Sequence, residues 1–361
     1  MREKSSQRDN EFLASPGMQL LESGEQVGKV ARPVEARERL ELLDVARGFA
    51  IFGILLVNFS SMKSAAWYGR FLSSGTEDIS TSDQIADWAI YFLAEGKFIT
   101  ILSLLFGLGF GMLMEKAEQT GDRFLLSRRF VFLLGLGLVH GLFIWHGDIL
   151  TFYAIGGFIL LLFRKCSPRT LCIWAAALYI AGAVLYLAVM MAVFLGADAL
   201  GDPGMIDRWL LEMKAAAEQA YGSGTFMEIM WQRAIDFLIN GVFAFLWMPA
   251  TISCFALGLA AWKAGVPAGL DQLQPAARRL FCWALPIAVF APAFSMAYGA
   301  GVFEQTLFLW GVSMLVHFLG PPAMAAVYLA LLVLIWGHPI GRLLFHPLAP
   351  VGRMALTNYL L

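Results

Sequence analysis

The chain has 361 residues, 59% hydrophobic and only 15% charged, with a formal net charge of −1. Mean hydropathy is +0.67. A soluble domain carries roughly 25% charged residues, so repeated apolar runs explain the excess better than one large core, and the near-zero charge balance excludes the basic footprint of a nucleic-acid binder.

Residues 1–38 mix polar and charged side chains without an apolar signal-peptide core, which predicts a disordered cytoplasmic tail. A bilayer core of about 30 Å takes about 20 mostly apolar helical residues. On that measure residues 39–337 read as an all-α, polytopic transmembrane helical bundle of about eight spans. The spans fall at 46–61, 88–114, 124–145, 149–163, 171–194, 241–262, 280–298 and 321–336. Arg47, Lys116, Arg128, Arg129, Arg164, Lys165 and Arg278 share one side, while acidic stretches near 77–83 and 198–218 dilute Lys63 and Arg70 on the other. Basic loops favour the cytoplasm, so the N-terminus is expected inside. Two outer segments read as amphipathic. One is the helix begun by the capping box Thr225-Phe226-Met227-Glu228, lying on the interface before the sixth span. The other, 303–319, reads as an interfacial or re-entrant helix. A second capping box, Thr81-Ser82-Asp83-Gln84, starts the second helix early, and from there to Met114 the helix is too long for a straight span. Gly107-x-x-x-Gly111 and Gly137-x-x-x-Gly141 allow close helix packing. Cys166, Cys172, Cys254 and Cys282 lack metal spacing and read as small core residues. No metal or haem is expected. Residues 338–361 form a separate C-terminal segment.

Ionisable side chains inside apolar helices need a partner or a cavity, and four places raise that question. In Leu43-Asp44-Val45-Ala46-Arg47-Gly48, Asp44 and Arg47 are three apart and can pair; they are either a membrane-end anchor or a contact for an anion or phosphate. Asn58 follows Arg47 by nearly three whole turns, on the same face and roughly 16 Å away. Glu95 and Lys97 interrupt the second span; at a separation of two they point apart, so they either line a cavity or pair with other helices. The hairpin His140 to Tyr153 holds His140, Asp148 and Tyr153. His140 is either a satisfied core histidine or a proton-handling group, with Asn58, Glu95 and Tyr153 as partners at its depth. Asp148 is expected to open the next helix as its N-cap. The fourth place is Gly352-Arg353-Met354-Ala355-Leu356-Thr357-Asn358-Tyr359. His317, His338 and His346 read as structural, without partner geometry.

These motifs carry a resemblance. The run from Leu43 to Asn58, then Glu95-Gly96-Lys97-Phe98 with Ser103-Leu104-Leu105-Phe106-Gly107, the hairpin His140-Gly141 to Tyr153-Ala154, and Gly352 to Tyr359 resemble, in order, the domain-of-unknown-function 418 (YeiB-like) family. That family resembles the transmembrane acyltransferase superfamily, which moves an acyl group from cytoplasmic acyl-CoA to an extracytoplasmic sugar hydroxyl or amine. The resemblance implies an inner-membrane acyltransferase. Arg47, with Asp44, would bind the phosphates of the acyl-CoA donor. His140 would be the base, oriented by Glu95 or Asp148, with Lys97 or Asn58 at the oxyanion and Tyr153 lining the cavity. The acceptor would be an extracytoplasmic sugar or lipid. The acyltransferase 3 pattern is Arg, ten residues, then His; here Asn58 stands at the His position, so either His140 has taken that role or the chain does not transfer acyl groups. A transporter or flippase for a lipid-linked or small polar solute would use the same intramembrane charges. The resemblance also implies a further span after the Thr-Asn-Tyr motif, which makes the last helix of this chain a truncated one.

Overall fold

The computed structural model describes residues 36–62, 68, 80–202, 204–266 and 270–360. The predicted tail up to residue 35 lies outside them, as do Lys63, Arg70, Glu77 and Asp78. Seven helical stretches among the described residues are long and apolar enough to cross a bilayer: Glu41–Phe59, Thr81–Thr120, Leu125–Ile144, Pro168–Ala197, Phe226–Leu246, Leu273–Gly299 and Leu307–Trp336. Leu150–Phe163 is apolar but shorter. This is a multi-pass helical membrane protein, and no strand occurs among the described residues.

The helices run α1 (Ala36–Met62), α2 (Thr81–Leu93), α3 (Lys97–Thr120), α4 (Leu125–Val139), α5 (Leu150–Leu160), α6 (Pro168–Ala199), α7 (Met205–Ser223) and α8 (Phe226–Leu246). They continue as α9 (Met248–Lys263), α10 (Leu270–Gly299), α11 (Leu307–Trp336) and three short helices, α12 (Pro339–Phe345), α13 (Leu348–Arg353) and α14 (Ala355–Leu360). α3 is central. One side packs on α1 and α11 through Ala50, Ile54, Phe98, Ile101, Leu105 and Ala325. The other packs on α4, α5 and α9 through Phe110, Phe130, Tyr153 and Phe255. The α3–α9 crossing needs glycine: a β-carbon at Gly107 would lie 1.9 Å from the Phe255 carbonyl oxygen, and one at Gly258 would lie 2.0 Å from that of Leu104. Small residues let membrane helices approach to backbone contact, as the Gly107 motif predicts. The C-terminal motif has the same use, because a β-carbon on Gly352 would meet the Asp44 carbonyl oxygen at 1.7 Å where α13 crosses α1.

Several expected boundaries are corrected. The sixth span, 241–262, is broken at Trp247, and α8 and α9 meet there. Pro249 stands in the first turn of α9, where it lacks an N–H and its ring bars continuation of the preceding turn. The predicted interfacial helix is therefore a continuous 21-residue helix, and its capping box is formed: Thr225 Oγ1 accepts from Glu228 N, and Glu228 Oε2 accepts from Thr225 N at 2.6 Å. The segment 303–319 is not re-entrant. From Leu307 it continues through Pro321 and Pro322 as the single helix α11. The prolines remove two amide donors, and the Tyr179 hydroxyl donates to the Phe318 carbonyl that one of them leaves free, so the helix stays whole. α2 is capped one residue earlier than predicted, by Ser80, whose hydroxyl accepts from Asp83 N at 3.2 Å. The long second helix breaks at residues 94–96, where Gly96 takes φ +77°, a left-handed conformation that favours glycine.

Candidate functional site

α4 ends in a π-helical turn, His140–Ile144, after which Trp145 is extended. Such turns widen the helix and recur at functional sites. This one puts the His140 ring beside the start of α5. His140 Nδ1 lies 3.1 Å from Asp148 Oδ1, and both side chains are buried. Asp148 Oδ2 accepts from Thr151 N at 2.8 Å. Asp148 thus satisfies an orphan amide of α5, as predicted of a cap, although Ile149 occupies the formal cap position. With both oxygens engaged, the carboxylate fixes the orientation of the imidazole. The ring of Tyr359 lies 5.3 Å from that of His140, and its hydroxyl accepts from Ile149 N at 2.9 Å. Two buried polar atoms close by, Trp145 Nε1 and Thr151 Oγ1, have no hydrogen-bond partner among the described residues.

Asn58, Glu95 and Tyr153 were expected as partners of His140 at its depth, and Glu95 or Asp148 as its orienting group; its hydrogen bond goes to Asp148. Tyr153 faces α3, where its hydroxyl lies 2.8 Å from Ser103 Oγ and 3.2 Å from the Ile99 carbonyl. Asn58 lines a cavity of about 200 Å³ together with Ile54, Val57, Gly96, Phe98 and Ile149. All four motifs therefore meet in one region. α1 brings Asn58, the α2–α3 break brings Gly96, the hairpin brings Ile149, and the C-terminal motif brings Tyr359 onto the Ile149 amide.

Glu95 and Lys97 do not point apart. The break at Gly96 removes the regular helical geometry on which that expectation rested, and both line one cleft with Tyr91, His317 and Pro321. Lys97 is only 3% exposed; its ammonium donates to the Tyr91 carbonyl and sits 5.1 Å from the Tyr91 ring centre. His317 is a site residue that the sequence reading missed. Its Nδ1 is 3.0 Å from the Tyr91 hydroxyl, a partner 226 positions away. His346, also read as partnerless, lies 3.1 Å from Glu41. The free volume of the Glu95–Lys97 cleft is about 10 Å³, room for about one water.

At the other end of α1, Arg47 and Asp44 pair at 2.9 Å as their spacing predicts, and neither is fully buried. Arg353 is exposed on α13. No cluster of three or more His, Cys, Asp or Glu side chains placed to hold a metal occurs among the described residues.

Residues 261–361 match a family described as "Protein of unknown function (DUF418)". Along nearly the whole chain, the sequence is 34% identical to "Uncharacterized protein YxaH" of Bacillus subtilis (strain 168), covering 91% of this chain and 81% of that protein. The chain belongs to the DUF418 family. This DUF418 chain is also 30% identical to "Uncharacterized protein YeiB" of Escherichia coli (strain K12), over 90% of the chain and 81% of the relative. A 39.9 kDa protein encoded in the amylase 3′ region of Bacillus acidopullulyticus is 27% identical over 91% of the chain and 78% of its own length. No solved structure matches it significantly. The DUF418 family match covers α10 to α14, the part that delivers Tyr359 to the hairpin.

Proposed function

We propose that this DUF418 protein is an inner-membrane acyltransferase, with its N-terminus in the cytoplasm, that moves an acyl group from cytoplasmic acyl-CoA to an extracytoplasmic sugar or lipid hydroxyl. The observation that carries the proposal is the buried His140–Asp148 pair, whose next residue, Ile149, lines a cavity with Asn58 at the opposite end of α1 from Arg47. A histidine held through Nδ1 by a carboxylate presents Nε2 as a general base and disfavours the other tautomer.

In this reading Arg47 takes a donor phosphate through charge-assisted bonds, and Asp44 orients the guanidinium. The long pantetheine arm of the donor covers the distance from Arg47 to Asn58, roughly 16 Å along α1. His140 removes the acceptor hydroxyl proton as that oxygen attacks the thioester carbonyl. Asn58 donates to the developing oxyanion. The C–S bond then breaks, and the proton on His140 passes to the departing thiolate. Trp145 Nε1 and Thr151 Oγ1 supply a buried donor and a buried hydroxyl for the acceptor. Lys97 is already engaged with Tyr91, so the oxyanion role falls to Asn58. Glu95 gives up the orienting role to Asp148.

The test is release of free thiol from acetyl-CoA by the protein in proteoliposomes, supplied with bacterial envelope glycans and lipids. Loss of 10²-fold or more in His140→Ala is expected; full activity in that variant removes His140 from the mechanism.

A second reading, a transporter or flippase, draws on a different observation. The broken α2–α3 helix carries buried Lys97, with Glu95 and His317 in the same cleft, and irregular backbone at membrane depth often lines a transport path. Solute flux in proteoliposomes without any acyl donor would favour it.

A further inference from the structure

We infer that Arg233 and Asn240 on α8 are positioning residues for the His140–Asp148 pair, and that Asp236 fixes the helix that carries them. The inference rests on reading that pair as the working one. The chain leaves the helical ladder at the end of the π-helical turn, so carbonyls of its last residues and of the hairpin beyond lack helical donors. Two of them are taken by α8: Arg233 Nη1 donates to the Phe143 carbonyl, and Asn240 Nδ2 donates to that of His146 at 3.2 Å. Arg233, Phe237 and Asn240 stand at i, i+4 and i+7, one face of the helix. Phe237 covers Gly141, where a β-carbon would lie 2.3 Å from the ring. One face of α8 therefore holds the hairpin at three points between His140 and Asp148.

Apolar contacts of α8 with the bundle include Phe237 on Gly141 and Ile239 against Leu210 and Ala217, but most of its large apolar side chains face outward. Phe226, Met227, Trp231, Leu238, Val242 and Phe245 are all exposed on it. A buried polar anchor adds to these contacts. Asp236 is fully buried and accepts from the Tyr68 hydroxyl at 2.5 Å, the Tyr221 hydroxyl at 2.5 Å and Gln232 Nε2 at 2.9 Å. These donors come from the segment after α1, from α7 and from α8 itself. Hydrogen bonds to a carboxylate are strong, and a buried carboxylate that loses them is costly to leave in place. The chain of contacts thus runs from Tyr68 and Tyr221 through Asp236 to α8, and from α8 to the backbone on either side of the working pair.

The test is spectroscopic and uses no acyl donor, so failure of the acyltransferase reading does not decide it. The chain has five histidines, so the full-length protein, labelled with ¹⁵N-histidine in lipid nanodiscs, gives a countable set of ring signals. His140→Gln assigns the His140 signal. Asn240→Ala and Arg233→Ala are expected to shift or broaden the His140 Nδ1 signal, while His317, held by Tyr91 on other helices, stays unchanged. Arg233→Lys keeps a donor and is expected to restore the His140 signal. Asp236→Asn is expected to reproduce the loss, and Trp231→Ala, on the exposed face, to leave every signal in place. If Asp236→Asn fails to fold, the His317 signal disappears too, and Asn240→Ala and Arg233→Ala decide. A His140 signal unmoved by both Asn240→Ala and Arg233→Ala overturns the inference. Where transfer activity is measured, Asn240→Ala, Arg233→Ala and Asp236→Asn should lower kcat about 10- to 100-fold at unchanged donor KM.

Discussion

Asp148 performs two tasks that can be separated at one position. It orients His140 and it satisfies the Thr151 amide at the start of α5. Asp148→Asn keeps an acceptor for the amide, so thermal unfolding in detergent should stay near that of the wild type while acyl transfer falls by 10²-fold or more. Asp148→Ala should lose the activity and also about 1 kcal/mol of stability. Equal stability in the two variants would mean that the carboxylate does not cap the helix. His146, in the hairpin outside the spans, gives a pH dependence. Burial pushes its pKa below the ordinary histidine range, against an opposing pull from Asp236. The neutral ring is therefore the form the fold prefers. Its stability is intact above the unfolded pKa of about 6.5 and is lost as pH falls from there towards the lower folded value. His146→Gln should flatten the fall in melting temperature between about pH 7 and pH 5; an unchanged slope would assign it to other groups. At this scale the sequence named Arg47 with its partner Asp44, and offered Asp148 beside Glu95 as the group that orients His140; distant partners were out of its reach. His317 and Asp236 find theirs 226 and 168 positions away, beyond any local pattern.

The elements were more legible than the contacts. Long apolar runs mark where helices must lie, because a bilayer admits little else, and each predicted span has a helix over most of its length. Irregularities were harder to read, since tertiary contacts decide them. Pro249 restarts a helix, whereas Pro321 and Pro322 sit inside one, where Tyr179 satisfies a freed carbonyl. The α2–α3 break was read as part of one over-long helix, and it changes the chemistry by turning Glu95 and Lys97 into one cleft. Gly96→Ala should therefore cost more than a helix-interior change. Its left-handed backbone disfavours a β-carbon by about 1–2 kcal/mol, and that carbon would also lie 3.0 Å from Pro321 Cγ. Thermal unfolding of the variant checks this, and a rise in stability would show that the break is not held by the glycine.

Across the whole molecule, the arrangement is a bundle whose central helix, α3, separates two packed cores. Arg47 lies near one end of α1 and the cavity, hairpin and Tyr359 near the other. The proposed reaction needs that separation, because donor and acceptor would come from opposite sides of the membrane. The measurement that tests this most directly is equilibrium binding of acetyl-CoA to the purified protein, wild type against Arg47→Ala. Saturable binding to the wild type, weakened at least tenfold in the variant, is the predicted result. Absence of saturable binding to the wild type would contradict acyl transfer and leave the transport reading in its place.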